Sequence, residues 1–229
     1  MNAVTLLPSG KKYPVGKILC LGQNYADHAR EMGSSAPSSP IIFLKPSTAI
    51  IENGQPIILP EMSQDVHHEV ELTVLLGKTG KNIPRSNAFN FVDGYGVGLD
   101  MTMRDRQKEA KTAGNPWSIA KGFDTSAPLS PFVPKSVVAD PHNLEITLYV
   151  NGKLRQNSNT SLMIFKIDYI ISFLSTIFTL EAGDVIYTGT PEGVGKVSSG
   201  DRIEARIAGV GELRHTVVSA ASASSKVTN

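Results

Sequence analysis

Glu69 and Glu71 sit two residues apart in HHEVELTVLLG, His67 to Gly77, where acid and imidazole lead into an apolar run. Side chains of a strand alternate between faces, so the two carboxylates share one face while Val70 and Leu72 take the other. At a rise of roughly 3.3 Å per residue the carboxylates lie about 6 to 7 Å apart. At an effective dielectric of about 20 two such charges repel by roughly 2 to 3 kcal/mol. Solvent over a half-exposed strand, a basic neighbour, a raised pKa on one Glu or a bound cation would each relieve that repulsion. A third acid, Asp100, ends the short strand pattern YGVGLD. Three carboxylates call for a divalent ion more strongly than two, and hard oxygen ligands with no cysteine partner point to Mg2+, Mn2+ or Ca2+ rather than structural zinc. His67 and His68 stand beside the pair, but the second histidine of an H-E-x-x-H zinc motif is missing.

Other residues have types suited to acid–base work. In NYADHAREMG, His28 and Glu31 are three apart, neighbours on one helical face. A carboxylate beside an imidazole orients the ring and raises its basicity, as a water-activating base needs. The competing reading of so polar a helix is solvated surface. Arg104 and Gln107 repeat the spacing just after Asp100, which aims a guanidinium and an amide near the proposed metal; guanidinium suits a two-point grip on a carboxylate. Lys121, in WSIAKGFDT, lies among apolar and small residues, where an ammonium needs a partner; a salt bridge to a carboxylate is the plain alternative to a catalytic role. Thr190, in YTGTPEGVG, stands beside glycines that could form an oxyanion nest or only a turn.

The elements that must hold these residues are mostly short strands. KILCLG, IIFLKP, PIILP, VELTVLLG and YGVGLD come first, then LEITLYV and KLRQ around Asn151-Gly152, a tight-hairpin signal. DVIYTG and DRIEARIAG follow, the latter alternating Ile203, Ala205 and Ile207 with polar residues. Helical patterns are few: NYADHAREMG, TMRDRQKEAKTAG, and an amphipathic helix from Ser161 to Leu180, capped by Asn159 or Thr160 and stopped by Gly183. The Ser/Ala-rich end, about 219–229, is expected to fray.

Composition narrows the function. A chain of 229 residues, 41% hydrophobic, fits one large domain over residues 1–229. With 22 basic and 21 acidic residues, a formal charge of +1 provides no field to draw it to nucleic acid or anionic lipid. Cys20, the single cysteine, reads as a core residue. The N-terminal residues do not resemble a secretion signal, so a cytoplasmic setting is expected. The sequence contains no complete dinucleotide fingerprint, phosphate loop or G-x-S-x-G elbow.

GQNYADHAREMG, PIIFLKPSTAI, HHEVELTVLLG, GLDMTMRDRQ, PWSIAKGFD, VNGKLRQ, TSLMIFKIDYIISFLS and YTGTPEGVG, in this order, resemble the fumarylacetoacetate hydrolase family. The match runs from about Lys17 to Gly209 and is nearest to short single-domain members described as acylpyruvases and oxaloacetate decarboxylases. The resemblance implies a mainly β (α+β) fold, a mixed β-sandwich roll of the fumarylacetoacetase C-terminal-domain type with a few peripheral helices and a short lid helix, assembled as a homodimer. It implies Mg2+ or Mn2+ on Glu69, Glu71 and Asp100, catalytic His28, Glu31 and Lys121, and substrate contacts from Arg104, Gln107 and Thr190. Gln23 stands where several relatives have Arg or another residue, at a position that could tune substrate choice. The implied reaction is hydrolysis of the C–C bond of 2,4-diketo acids such as acetylpyruvate or fumarylpyruvate, giving pyruvate and a carboxylic acid. His28 would activate the water and the ion would stabilise the departing enolate. The alternatives are oxaloacetate decarboxylation or keto–enol tautomerisation, an isomerase of the 2-hydroxyhepta-2,4-diene-1,7-dioate type and, from another class, a metal-binding module without turnover.

Overall fold

A computed structural model describes residues 2–224. The apolar runs become the strands of two packed sheets. The larger sheet orders its strands Ile41–Lys45, Ile18–Gly22, Val185–Tyr187, Val70–Leu76, Val92–Leu99, Ala127–Leu129 and Ile50–Glu52, and Val133–Pro134 also pairs with Val92–Leu99. It is mixed: Val185–Tyr187 runs parallel to Ile18–Gly22 and antiparallel to Val70–Leu76. The second sheet runs Lys153–Asn159, Glu145–Val150, Arg202–Ile207, Gly211–Ser219 and Ile57–Leu59. Its hairpin turns at Asn151 and Gly152, with φ of 52° and 74°, the left-handed pair that a two-residue turn requires. A core of Val70, Leu72 and Val74 from one sheet and Leu148, Ile203 and Leu213 from the other fills the space between them. Short strands joined by turns and covered by few helices make the β-rich core that the sequence predicts and the β-sandwich roll that the resemblance implies.

The strand that carries Glu71 departs from the simple two-faced pattern. All seven residues of Val70–Leu76 are buried, because a second apolar cluster, including Ile18, Cys20, Phe132 and Tyr187, covers the other face with Leu75. A strand buried on both sides has no wet face, so solvent cannot be what relieves the repulsion at Glu71. Alternate glycines on the neighbouring strand allow this close covering: a Cβ on Gly98 would lie 2.6 Å from the Tyr187 ring. Burial pushes the Cys20 thiol well up, consistent with an inert core residue.

Two expectations are corrected. The long Ser161–Leu180 helix is split into a single 3-10 turn, Thr160–Leu162, and an α-helix, Ile167–Ile177. Asn159 caps the turn by accepting from Ser161 N at 2.8 Å. The break follows because Ile164 N and Phe165 N donate to the backbone and side-chain oxygens of Asn24, at 2.8 and 2.7 Å, rather than to a helix. At the C-terminal end Ser219 closes a strand and Ala220–Ser224 form a helix, so this part of the tail is ordered; residues 225–229 lie outside those described.

His142 shows how the break is held. Its Nε2 accepts the Ile167 N–H at 3.0 Å, taking the place of a cap on the Ile167–Ile177 helix. Burial, then Lys166, hold its pKa below the ordinary value. An imidazole depressed in the fold binds more protons when unfolded, so stability is full above the unfolded value of about 6.5 and declines as pH falls through it. The urea midpoint should therefore fall between pH 7 and pH 5. In His142→Gln, which keeps an acceptor but does not titrate, that fall should be shallower.

Candidate metal centre and active-site cleft

Three strand ends bring the acids together. Glu69 lies at the bend between Val66–His68 and Val70–Leu76, Glu71 lies inside the latter, and Asp100 follows Val92–Leu99, whose Leu99 pairs with Val70. Asp100 N donates to Glu69 O at 2.8 Å, which sets the two side chains on a common side. Oxygens of Glu69, Glu71 and Asp100 then fall within 4.8 Å of one another, and all three residues are at most 4% exposed.

The charges around them are unevenly distributed. Lys121 Nζ reaches Glu69 Oε2 at 2.8 Å, Asp100 Oδ2 at 2.5 Å and Thr102 Oγ1 at 2.6 Å. Arg104 pairs with Glu69 through Nη2 and with Gln107 Oε1 through Nη1 at 2.6 Å. Burial alone would raise the Glu69 carboxyl, but Lys121 and Arg104 outweigh it and hold it well below the usual range. Glu71 has the opposite fate: burial, then the Asp100 and Glu69 charges, push it well above that range. Its Oε2 accepts from Gly189 N at 2.6 Å, and no cation lies within ion-pair distance of it among the described residues. Asp100 Oδ1 is buried and accepts no hydrogen bond; Lys45 Nζ is 2.8 Å away, an ion pair out of line for one. A cluster of hard oxygens with one carboxylate lacking a countercharge and another with an idle lone pair fits a divalent cation.

His28 and Glu31 lie on the short helix Ala26–Glu31, with His28 Nδ1 3.2 Å from Glu31 Oε2. The polar helix is not simply solvated surface, since His28 is only 4% exposed. Glu31 accepts from Gly193 N at 3.1 Å, which ties the helix to the YTGTPEGVG turn. At φ +90°, with a Cβ that would meet Arg155 O at 2.1 Å, position 193 accepts only glycine without a shift of the turn. The same turn brings in Thr190, whose hydroxyl donates to Val70 O and accepts from Gln156, both at 2.8 Å.

His28, Glu69, Glu71, Arg104, Gln107 and Lys121 line one cleft together with Thr190. Glu31 stands behind His28 and Asp100 behind Lys121. All nine residues singled out by sequence thus converge on one place, although the Arg104 guanidinium faces Glu69 and Gln107 rather than an open cavity.

The sequence reading passed over two buried side chains. Lys45, 1% exposed, donates to the carbonyls of Met101, Lys121 and Ser126 as well as pairing with Asp100. Its position in IIFLKPS, a lysine at the end of an apolar strand, was the available signal. Gln156, fully buried, accepts from Val70 N at 3.1 Å, between the two glutamates, and donates to Thr190 and Pro191. Nothing in an exposed-looking hairpin strand, LRQNSN, announces that role. Phe43, Met32, Trp117, Gln23 and Lys111, with Leu21 and Gly22, complete the cleft wall.

Residues 17–218 match the model of the fumarylacetoacetate (FAA) hydrolase C-terminal family. The chain belongs to the fumarylacetoacetate hydrolase family. Family members similar to it carry different activities in their names. Oxaloacetate tautomerase FAHD1, mitochondrial, of Mus musculus is 53% identical over 211 residues, covering 92% of this chain and 96% of that protein. The fumarylpyruvate hydrolase of Pseudomonas aeruginosa, solved in complex with Mn2+ and pyruvate, superposes with a TM-score of 0.91 at 41% identity, covering 94% of this chain and 95% of the other. The 5-carboxymethyl-2-hydroxymuconate delta-isomerase of Mycobacterium smegmatis gives a TM-score of 0.81 at 42% identity, covering 91% and 80%. Members of this family are enzymes. Among the described residues, no helix is long and apolar enough to cross a membrane.

The uncompensated Glu71 leads to a direct test. Calorimetric titration of the chelator-treated protein with Mn2+ should show a saturable site and a matching rise in Tm, since a ligand that binds only the folded state stabilises it. Glu71→Gln and Asp100→Asn should each weaken that binding by roughly a hundredfold or more, within the range expected when a buried ion loses a charged ligand.

Proposed function

We propose that this protein is a divalent-metal enzyme acting on small 2-keto acids, and that its main reaction is the keto–enol interconversion of oxaloacetate. The observation that carries this reading is a His28–Glu31 pair and a buried carboxylate trio facing each other across one cleft. The order of preference follows identity: relatives named oxaloacetate tautomerase reach 53%, against 41% for the fumarylpyruvate hydrolase.

In the tautomer that carries its proton on Nδ1, facing Glu31 Oε2, His28 has Nε2 free to accept a proton. The proton removed is one on carbon 3, beside the keto group, and its return to the keto oxygen completes the enol. Glu31 is steadied by the Gly193 N–H, so the imidazole keeps its orientation as the proton moves. Gln107, whose Oε1 accepts from Arg104, keeps its amide N–H for a keto-acid carboxylate, and the Arg104 guanidinium would join it on turning from Glu69. Lys121 offsets the charge of two of the three acids. Glu69, Glu71 and Asp100 would hold a divalent cation, which would supply Lewis-acid stabilisation of the enolate charge.

Acylpyruvate hydrolysis is the second reading, supported by the fit to the hydrolase structure that holds Mn2+ and pyruvate. In that case Nε2 of His28 takes a proton from water attacking the distal carbonyl, and pyruvate leaves as its enol. Oxaloacetate decarboxylation would use the same head-group contacts with no attacking water.

A panel of enol-oxaloacetate, keto-oxaloacetate, acetylpyruvate and fumarylpyruvate, each assayed with Mn2+ and with chelator, separates these reactions. Chelator should abolish turnover, and His28→Ala should lower tautomerisation and hydrolysis by about 10² to 10³. Decarboxylation should be less affected. Unchanged tautomerisation and hydrolysis in His28→Ala, with metal dependence retained, would remove the histidine from the mechanism.

A further inference from the structure

The helix Arg104–Ala113 presents more to the cleft than the residues that reach its floor. Arg104, Gln107 and Lys111 follow the i, i+3, i+7 spacing of one helical face, and all three line the cleft. Lys111 stands about 10 Å along the axis from Arg104, some two turns further toward the mouth. Helical side chains lean toward the N-terminus, so the stem of this exposed lysine is directed back along the helix toward Gln107.

The inner cations already have partners. Lys121 joins Glu69 to Asp100, Arg104 holds Glu69, and Lys45 is enclosed by three carbonyls and Asp100. Among the described residues Lys111 pairs with no carboxylate, while the neighbouring Glu109 is taken by Arg106 at 2.9 Å. The outer wall near it is aromatic, apolar or amide, through Trp117, Phe43, Met32 and Gln23, with no acid. Trp117 and Phe43 pack at 5.7 Å between ring centroids and form a fixed side to the opening.

We infer that Lys111 forms an outer anion subsite that selects keto acids carrying a second carboxylate at the end away from the 2-keto acid head. This rests on the keto-acid reading of the cleft and names the class of substrate that reading would favour: dicarboxylates such as oxaloacetate or fumarylpyruvate over monocarboxylates such as acetylpyruvate. A lysine suits this place because its ammonium is a mobile point charge that can follow carboxylates at different distances.

The test uses Mn2+-loaded full-length protein and two readouts. Binding of 2-oxoglutarate and of 2-oxohexanoate is measured by calorimetry, which needs no turnover. The wild type should prefer the dicarboxylate, and Lys111→Met should reduce the preference about tenfold, with Lys111→Arg keeping most of it. In turnover, the kcat/KM ratio of fumarylpyruvate to acetylpyruvate should fall in Lys111→Met through KM more than kcat. An unchanged binding preference in Lys111→Met, with Mn2+ affinity and Tm intact, overturns the subsite. Absence of turnover on every keto acid, with the binding preference present and lost in Lys111→Met, overturns the reaction and leaves the subsite standing.

Discussion

Three carboxylates buried within 4.8 Å of one another are the constraint around which the rest of the molecule is arranged. Ionised acids so close and so far from water repel strongly and lose their hydration. The fold answers with Lys121, Arg104 and Lys45, each reaching Glu69 or Asp100. Among the described residues it leaves Glu71 with one backbone N–H and no cation. The imbalance is local and directional, since the missing positive charge belongs where the three sets of oxygens converge. The distribution of countercharges around the three acids is one that a divalent cation would complete.

The scaffold keeps that imbalance from relaxing. Val70, between the two glutamates, is fixed on both sides of its peptide: its N–H goes to Gln156 and its carbonyl receives the Thr190 hydroxyl. Asn24 performs a comparable task for the Ala26–Glu31 helix. Its amide donates to Phe165 O and Thr188 O, while its oxygen accepts from Phe165 N. Together with the Glu31 to Gly193 bond, these contacts hold the His28 helix from two directions, the broken helix start and the turn after Val185–Tyr187. The same bonds that interrupt the apolar Ser161–Leu180 stretch therefore contribute to positioning His28. Local helix propensity there loses to a buried amide that offers better-placed partners.

A cleft floored by oxygens and walled on its outer side by aromatic and amide groups suits a short, highly polar substrate head with a variable tail. Family members named as tautomerase, hydrolase and isomerase are all similar to this chain.

Much of the site was legible in the amino-acid sequence because its residues are local pairs with chemical meaning: Glu69 and Glu71 two apart in one extended stretch, His28 and Glu31 on one turn, Arg104 and Gln107 on another. Strand alternation and helical spacing determine which members of a pair share a face, and neither depends on distant contacts. The motifs in order also carried the family and its β-rich fold. Tertiary structure alone decided that the Val70–Leu76 strand is covered on both faces, that the last long helix breaks at Ile164 and Phe165, and that Lys45 and Gln156 belong to the centre. Each of those outcomes is set by a partner between about 50 and 140 residues away, and hydrogen bonds and burial over such separations leave no periodicity in the chain.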